Sequence, residues 1–393
     1  MNNNQSRGSY VLTVNAGSSS IKLSVFDSAT TQKYAEASLE SIGQPSASLV
    51  TAAGRSPVAA LAHADAADIL IAWLQTQCKD TDITAVGHRI VHGGPHYFKS
   101  QLVTSNLRRD LSKLTAFDPE HLPAELTLVS TFQKLLPNAR HIACFDTAFH
   151  HDLPAKARLL PIPRKLSEKG IRRYGFHGLS YDYIVDELRR VEGTAAANGK
   201  VIIAHLGSGA SLAAVHGGQA VDTTMSMTPA SGIPMSTRAG DLDPGLALYL
   251  AKTEGYDAEQ FNQMVHHESG LLGISETTSD MKKLLDLQDS DARAKDAVDI
   301  FCYQVQKQIG SFAAALGGLH TLVFTGGMGE NAPKIRQHIC ENLAFLGITL
   351  DDARNQVSER LISANGSPVG VHVIHTDEAV TIAKETIRLT QEH

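Results

Sequence analysis

Two segments of this chain repeat one pattern about half a chain apart, and that repetition limits the fold more than any other feature. The first runs from Val11-Leu12-Thr13-Val14, through the small residues Asn15 to Ser20, into an alternation of Ile21, Leu23 and Val25 with Lys22 and Ser24. It reads as strand, tight turn, strand, because strand side chains face alternately inward and outward. The second runs from Val201 to His205, through Leu206-Gly207-Ser208-Gly209, into Ala210 to Val215 and the turn His216 to Gln219. Two such hairpins predict an internal duplication with one α/β unit in each half. A length of 393 residues leaves room for two or three domains with substantial cores.

A third glycine cluster differs from these. Thr321 to Thr325 is a buried-type strand, Gly326 to Gly329 a turn, and Ala332 to Cys340 a helical pattern, so this is a strand-to-helix loop. Amphipathic helices are predicted over 57–77, 123–136, 180–191, 244–253, 257–265, 294–317 and 377–391, with Gly193 to Gly199 as a solvated connector. Strands and helices mixed in this way argue for two α/β domains with a cleft between them.

Charge excludes several classes of function. Lys and Arg number 35 against 41 Asp and Glu, a net charge of −6 with no long block of one sign, so no nucleic-acid-binding face is expected. Cys78, Cys144, Cys302 and Cys340 are scattered without a CxxC pair, which disfavours a zinc site or a disulfide framework and suits a reducing compartment. The polar start of the chain lacks the apolar core of a signal peptide, and no 18-residue apolar run occurs. The expectation is a cytoplasmic protein with no membrane partner and a disordered tail over 1–9.

Small-residue turns after strands commonly hold phosphate, because the ligand can approach backbone N–H groups closely. The Walker A pattern is absent, since Gly199-Lys200 is followed by Val201 rather than Ser or Thr. The dinucleotide fingerprint fails as well: Gly207-Ser208-Gly209 leads into a strand and lacks the third glycine. What remains is a hairpin clamp for phosphate present twice, the pattern of actin-like ATPases and kinases.

Six stretches carry a more specific resemblance: Asn15 to Lys22, Gly87 to Gly94, Phe145 to His150, Arg172 to Gly178, Thr237 to Gly245 and Phe324 to Asn331. In order and spacing, from residue 10 to about 386, they resemble the motifs of the acetate kinase family. The resemblance implies two duplicated actin-like (ribonuclease H-like) ATPase domains with an interdomain active-site cleft. The N-terminal domain would cover 10–150, completed by a C-terminal helix at about 380–393, and the nucleotide-binding domain 151–379. It further implies a homodimer and reversible, direct in-line transfer of the ATP γ-phosphoryl group to acetate or propionate, with Mg2+, or Mn2+ in its place, and ATP/ADP as co-substrate.

That chemistry brings two anions together, so it asks for cations and positioning more than for a strong base. A carboxylate is already ionised at neutral pH. Arg89 and Arg238, which taken alone read as surface ion-pair residues, would contact the acid and the moving phosphoryl group. By resemblance His177 stabilises the transferred group; a core histidine bonded to a carbonyl is the other reading. By resemblance Asp146 is the catalytic carboxylate that orients Arg89 or a magnesium-bound water; an Asp helix cap is the alternative. The family pattern places Asn15 and Glu378 on the metal, although Glu378 also suits the first turn of a helix. Val91, Phe176 and Pro229 would wall the acid pocket. Lys22, Ser18, Ser20, His205, Leu206, Gly207, Ser208 and Gly209 would hold the phosphates. Asp280, Met281, Lys282, Gly327, Met328, Gly329, Glu330 and Asn331 would enclose adenosine.

The chain departs from the family pattern at Glu120 and Leu122, within Pro119-Glu120-His121-Leu122-Pro123, where an apolar wall residue and an Asn are usual. Glu120 beside a carboxylate substrate would repel it, and is expected to turn outward. Ser208 replaces an Asn, and Leu179-Ser180-Tyr181 replaces Thr-Ser-His. These changes bear on affinity and on which acid is preferred. Competing readings are an actin- or Hsp70-like ATPase that controls a partner, a kinase for another short-chain carboxylate, and an inactive relative.

Overall fold

The structure, a computed structural model, describes residues 8–17, 20–60, 62–79 and 81–392; most of the expected tail and Ser18 lie outside them, while Ser9 opens the first strand. The chain divides into two compact units, Met1–Ala148 with Asp377–His393, and Phe149–Thr376.

The sheet of the first unit contains β1 (Ser9–Ala16), β2 (Ser20–Asp27), β3 (Lys33–Glu40), β4 (Ser48–Thr51), β5 (Gly54–Pro57), β6 (Asp82–Ile90), β7 (Gln101–Leu102) and β8 (Arg140–Phe145), in the order β5-β4-β3-β2-β1-β6-β8-β7. The second unit has β9 (Lys200–Leu206), β10 (Ala210–His216), β11 (Gln219–Thr223), β12 (Thr321–Thr325) and β13 (Gly370–Val373), in the order β11-β10-β9-β12-β13. In each unit the first strand of a three-stranded antiparallel meander also pairs in parallel with a later strand, which pairs in parallel with another. The two hairpins therefore belong to one five-stranded plan used twice, as the duplication predicts.

Apolar side chains of β1, β2, β3 and the helix His63–Gln77 form the core of the first unit, among them Leu12, Leu23, Leu39 and Leu70, each fully buried. Helix Gly178–Glu192 packs Ile184 and Leu188 against Ile203 and Val215 in the second. Helix Glu378–Gln391 lies on β1, β6 and β8. A Cβ on Gly87 of β6 would fall 2.2 Å from Thr386 Oγ1 and 2.5 Å from Ile382 Cγ2, so this helix sits close only because position 87 has no side chain.

Several expected boundaries move. The helix expected over 57–77 begins at His63, because Gly54–Pro57 pairs with β4 as an edge strand and the Asp65 carboxylate accepts the Ala62 N–H. The turn expected after β12 is a helical turn, Gly326–Asn331, and the connector after Gly193 contains the short helix Thr194–Ala197. The segment 257–265 is helical to Gln263 and passes into a π-turn, Met264–Glu268. The four cysteines are buried free thiols. Among the described residues no helix is long and apolar enough to cross a membrane.

Candidate active site

In the first unit the site is built at the ends of β1, β6 and β8. Arg89 sits near the end of β6 with its side chain 11% exposed. Its Nε and Nη2 donate to Asp146 Oδ2 at 3.1 and 2.5 Å, and its Nη1 donates to the Ala16 carbonyl at 2.6 Å. Asp146, directly after β8, is fully buried, and its N–H donates to the Ile90 carbonyl. Arg89 is thus no surface residue, and Asp146 is bound to it. Burial alone would pull the guanidinium pKa down, but the carboxylates of Asp146, Glu378 and Glu125 outweigh that and hold it above its ordinary value.

Asn15, near the end of β1, donates Nδ2 to Glu378 Oε2 at 2.7 Å. Glu378 is the first residue of its helix, the place the dipole favours for an acid. Lys22 stands opposite Asn15 in the hairpin register and pairs with Glu36 at 3.0 Å. Ser20 opens β2, and its carbonyl accepts the Gly17 N–H. Val91 is buried immediately beyond β6. Glu120 is half-buried and Leu122 fully buried.

In the second unit His177 holds a left-handed backbone (φ 58°) at the cap of helix Gly178–Glu192. Its Nδ1 lies 2.8 Å from Ser211 Oγ, which lies 2.5 Å from the Tyr181 hydroxyl. Its ring stacks on His205 at 4.3 Å, and His205 Nδ1 meets Ser180 Oγ at 2.8 Å. Arg238 donates Nη1 to the Pro229 carbonyl at 3.1 Å. His177 and Arg238 converge on the loop after β9: a Cβ on Gly209 would stand 3.2 Å from His177 Nε2 and 3.5 Å from Arg238 Nη1. Phe176 and Pro229 are buried, and the Phe176 carbonyl accepts from His150 Nε2.

A cavity of about 530 Å³ lies in the same unit, lined by Gly207, Ser208, Asp280, Met281, Lys282, Gly327, Met328 and Asn331, all expected, together with Ser236, Ser279, Leu285, Asp286, Ala332, Pro333, Lys334 and Gln356, which were not. Its volume suits a drug-sized ligand. Gly326, at φ 77°, abuts the backbone of Leu206 and brings the two glycine loops together. His205, Leu206, Gly209, Gly329 and Glu330 are not among the lining residues. Glu330 instead holds its loop: Oε1 accepts from the N–H groups of Gly326 and Thr376, and Oε2 meets His375.

The sequence model of the acetokinase family matches residues 10–384. The chain belongs to that family. An acetate kinase from Rhodopseudomonas palustris (strain TIE-1) is 42% identical over 96% of this chain and 98% of its own length. Of solved acetokinase structures, a propionate kinase from Francisella tularensis superposes with a TM-score of 0.89 at 34% identity, covering 97% of this chain and 100% of that one. An acetate kinase from Porphyromonas gingivalis gives 0.85 at 34% identity with the same coverage. The fold is thus the actin-like α/β fold of these kinases.

One acetokinase residue escaped the sequence reading. Glu125, on helix Leu122–Leu135, is 3% exposed, accepts the Val91 N–H at 2.9 Å, and lies 3.6 Å from Arg89. The signal was available, because Leu122, Glu125, Leu128, Val129 and Phe132 make one buried helical stripe with a carboxylate in it. Ser211 was missed too; a serine in an apolar strand carries no comparable signal.

Proposed function

We propose that this protein is an acetate or propionate kinase that transfers the γ-phosphoryl group of ATP reversibly to the carboxylate of the acid, giving acyl phosphate and ADP. A carboxylate oxygen forms the new bond to the γ-phosphorus as the bond to the β-γ bridging oxygen breaks. The observation that carries the reading is Arg89, a cation held rigidly at the end of β6 by a buried carboxylate and a backbone carbonyl. The N–H groups left over on its two terminal nitrogens suit a carboxylate substrate, and being already oriented they add little ordering cost. Val91 beside it offers apolar contact for a methyl or ethyl group.

In the second unit, Gly207 and Ser208 would cradle phosphate through backbone N–H groups, with the nucleoside in the cavity beyond. His177 and Arg238, which converge on Gly209, would face the equatorial oxygens of the transferring group. Ser211 holds Nδ1 of His177, so that Nε2 faces the loop. No base is needed, since the nucleophile carries its own charge.

Asn15 and Glu378 fit a magnesium ion. Their mutual hydrogen bond leaves Asn15 Oδ1 and Glu378 Oε1 as oxygen donors at the end of β1. Mg2+ takes few protein oxygens and keeps waters and phosphate oxygens in its other positions; no larger His/Cys/Asp/Glu cluster exists among the described residues. When bound, the ion would neutralise phosphate charge.

The protein would work as a homodimer. Helix Gly245–Thr253 is apolar yet has no buried residue, and Leu248 and Tyr249 are each 60% exposed. A patch of that kind is usually covered by a partner. Buried free thiols accord with a reducing cytoplasm.

Incubation with Mg-ATP, hydroxylamine and acetate or propionate should yield the acyl hydroxamate. Absence of product with both acids, with ATP hydrolysed at an acid-independent rate, would favour an ATPase instead.

A further inference from the structure

We infer that Glu125 is a positioning residue that makes the charge Arg89 offers to the carboxylate substrate depend on pH. The inference rests on the kinase reading above.

Glu125 touches both residues that the reading assigns to the acid. Its Oε2 accepts the Val91 N–H, while its Oε1 lies 3.6 Å from Arg89 Nη1 and has no hydrogen-bond partner. Arg89 already has a carboxylate partner in Asp146. A second ionised carboxylate in the same buried space would compete with the incoming acid for one guanidinium. The groups acting on Glu125 are Arg89 from β6, Asp146 after β8, and Asp118 in the loop before its own helix. Asp118 is in turn bound to His121 and influenced by His92. Arg108, on the adjoining helix Ser105–Lys113, is turned to Ser130 and Gln133. Burial pushes the Glu125 carboxyl up to about 8, against the pull of Arg89 and the Val91 N–H, with Asp118 and Asp146 adding to the rise.

Below that value Glu125 is a neutral acid with its proton on Oε1, and Arg89 can meet the substrate. Above it the proton leaves Oε1, and a second negative charge faces Arg89 at the acid site. If only the neutral form binds well, apparent acid affinity follows the protonated fraction, so the acid KM rises by about tenfold between pH 7 and pH 9.

The test measures KM for acetate, for propionate and for ATP by ADP release from pH 6.5 to 9.5, in wild type and in Glu125→Gln. Gln retains an acceptor for Val91 but cannot titrate. Wild type is expected to show the rise for both acids, and Glu125→Gln an acid KM constant within about twofold over the range. A flat wild-type profile, a rise that persists in Glu125→Gln, or a parallel rise in the ATP KM would each overturn the inference. Should Glu125→Gln not fold, Glu125→Met, an apolar side chain of similar volume, carries the same expectation, and the wild-type profile remains decisive against it. Acid-dependent ADP release with a pH-independent acid KM would reject Glu125 alone. Absence of any acid dependence would reject the kinase reading.

Discussion

Replacing Arg89 by Ala removes the cation bound to a fully buried Asp146. With the guanidinium and carboxylate in contact at about 3 Å, the pair interacts by about 5 kcal/mol at an effective dielectric near 20, before desolvation is counted. Desolvation offsets much of this, yet deleting one partner of a buried pair typically costs about 3–5 kcal/mol, because the other is left uncompensated. Arg89→Ala and Asp146→Asn should therefore each lower stability by that amount. The double variant should cost about 2–4 kcal/mol less than the sum of the singles, since neither charge is then orphaned. Urea midpoints of the four proteins at an unchanged m-value measure the cycle. Additivity within about 0.5 kcal/mol would refute the argument that the two residues act as a unit. Hydroxamate formation gives the second readout. All three variants, and Arg89→Lys, should lose at least about tenfold, the scale of one charge-assisted hydrogen bond, because a lysine lacks the planar fork that reaches Asp146 and the Ala16 carbonyl from separate nitrogens.

His177→Ala should lower kcat by about two orders of magnitude while nucleotide affinity, measured by titration calorimetry, changes little; an unaltered kcat would remove His177 from the transfer step. Gly87→Ala drives a methyl group into Thr386 and Ile382, and should cost about 1–3 kcal/mol. An unshifted urea midpoint there would mean that the helix Glu378–Gln391 yields without strain. Leu248→Glu with Tyr249→Glu places charge on the exposed apolar helix and should give monomers by light scattering, and a dimer that persists would exclude this face as the interface.

Legibility in the sequence followed the range of the forces involved. Both hairpins were readable because alternation with a period of two is a local property, and so was the buried strand Thr321–Thr325. The start of helix His63–Gln77 was misread, because pairing of Gly54–Pro57 with a neighbouring strand competes with helix, and sequence periodicity does not register pairing. The turn after Thr325 was misread as well: its glycines suit a turn, but Glu330 folds back onto the Gly326 N–H and closes a helical turn.

The sequence by itself determined the duplicated α/β plan, and its charge balance and motifs set the expectations of no nucleic-acid face and of residue types suited to phosphate and acid. Those follow from patterning, net charge and motif, all of which are written along the chain. Only the tertiary structure decided that Arg89 is locked between Asp146 and Ala16, that Ser211 holds His177, and that a buried Glu125 stands against Arg89. Each of those contacts joins residues 34 to 73 positions apart. The Glu125 contact also depends on exclusion of water, which pushes the pKa of an ordinary carboxylate up. That exclusion is a property of packing, and packing exists only once the chain has folded.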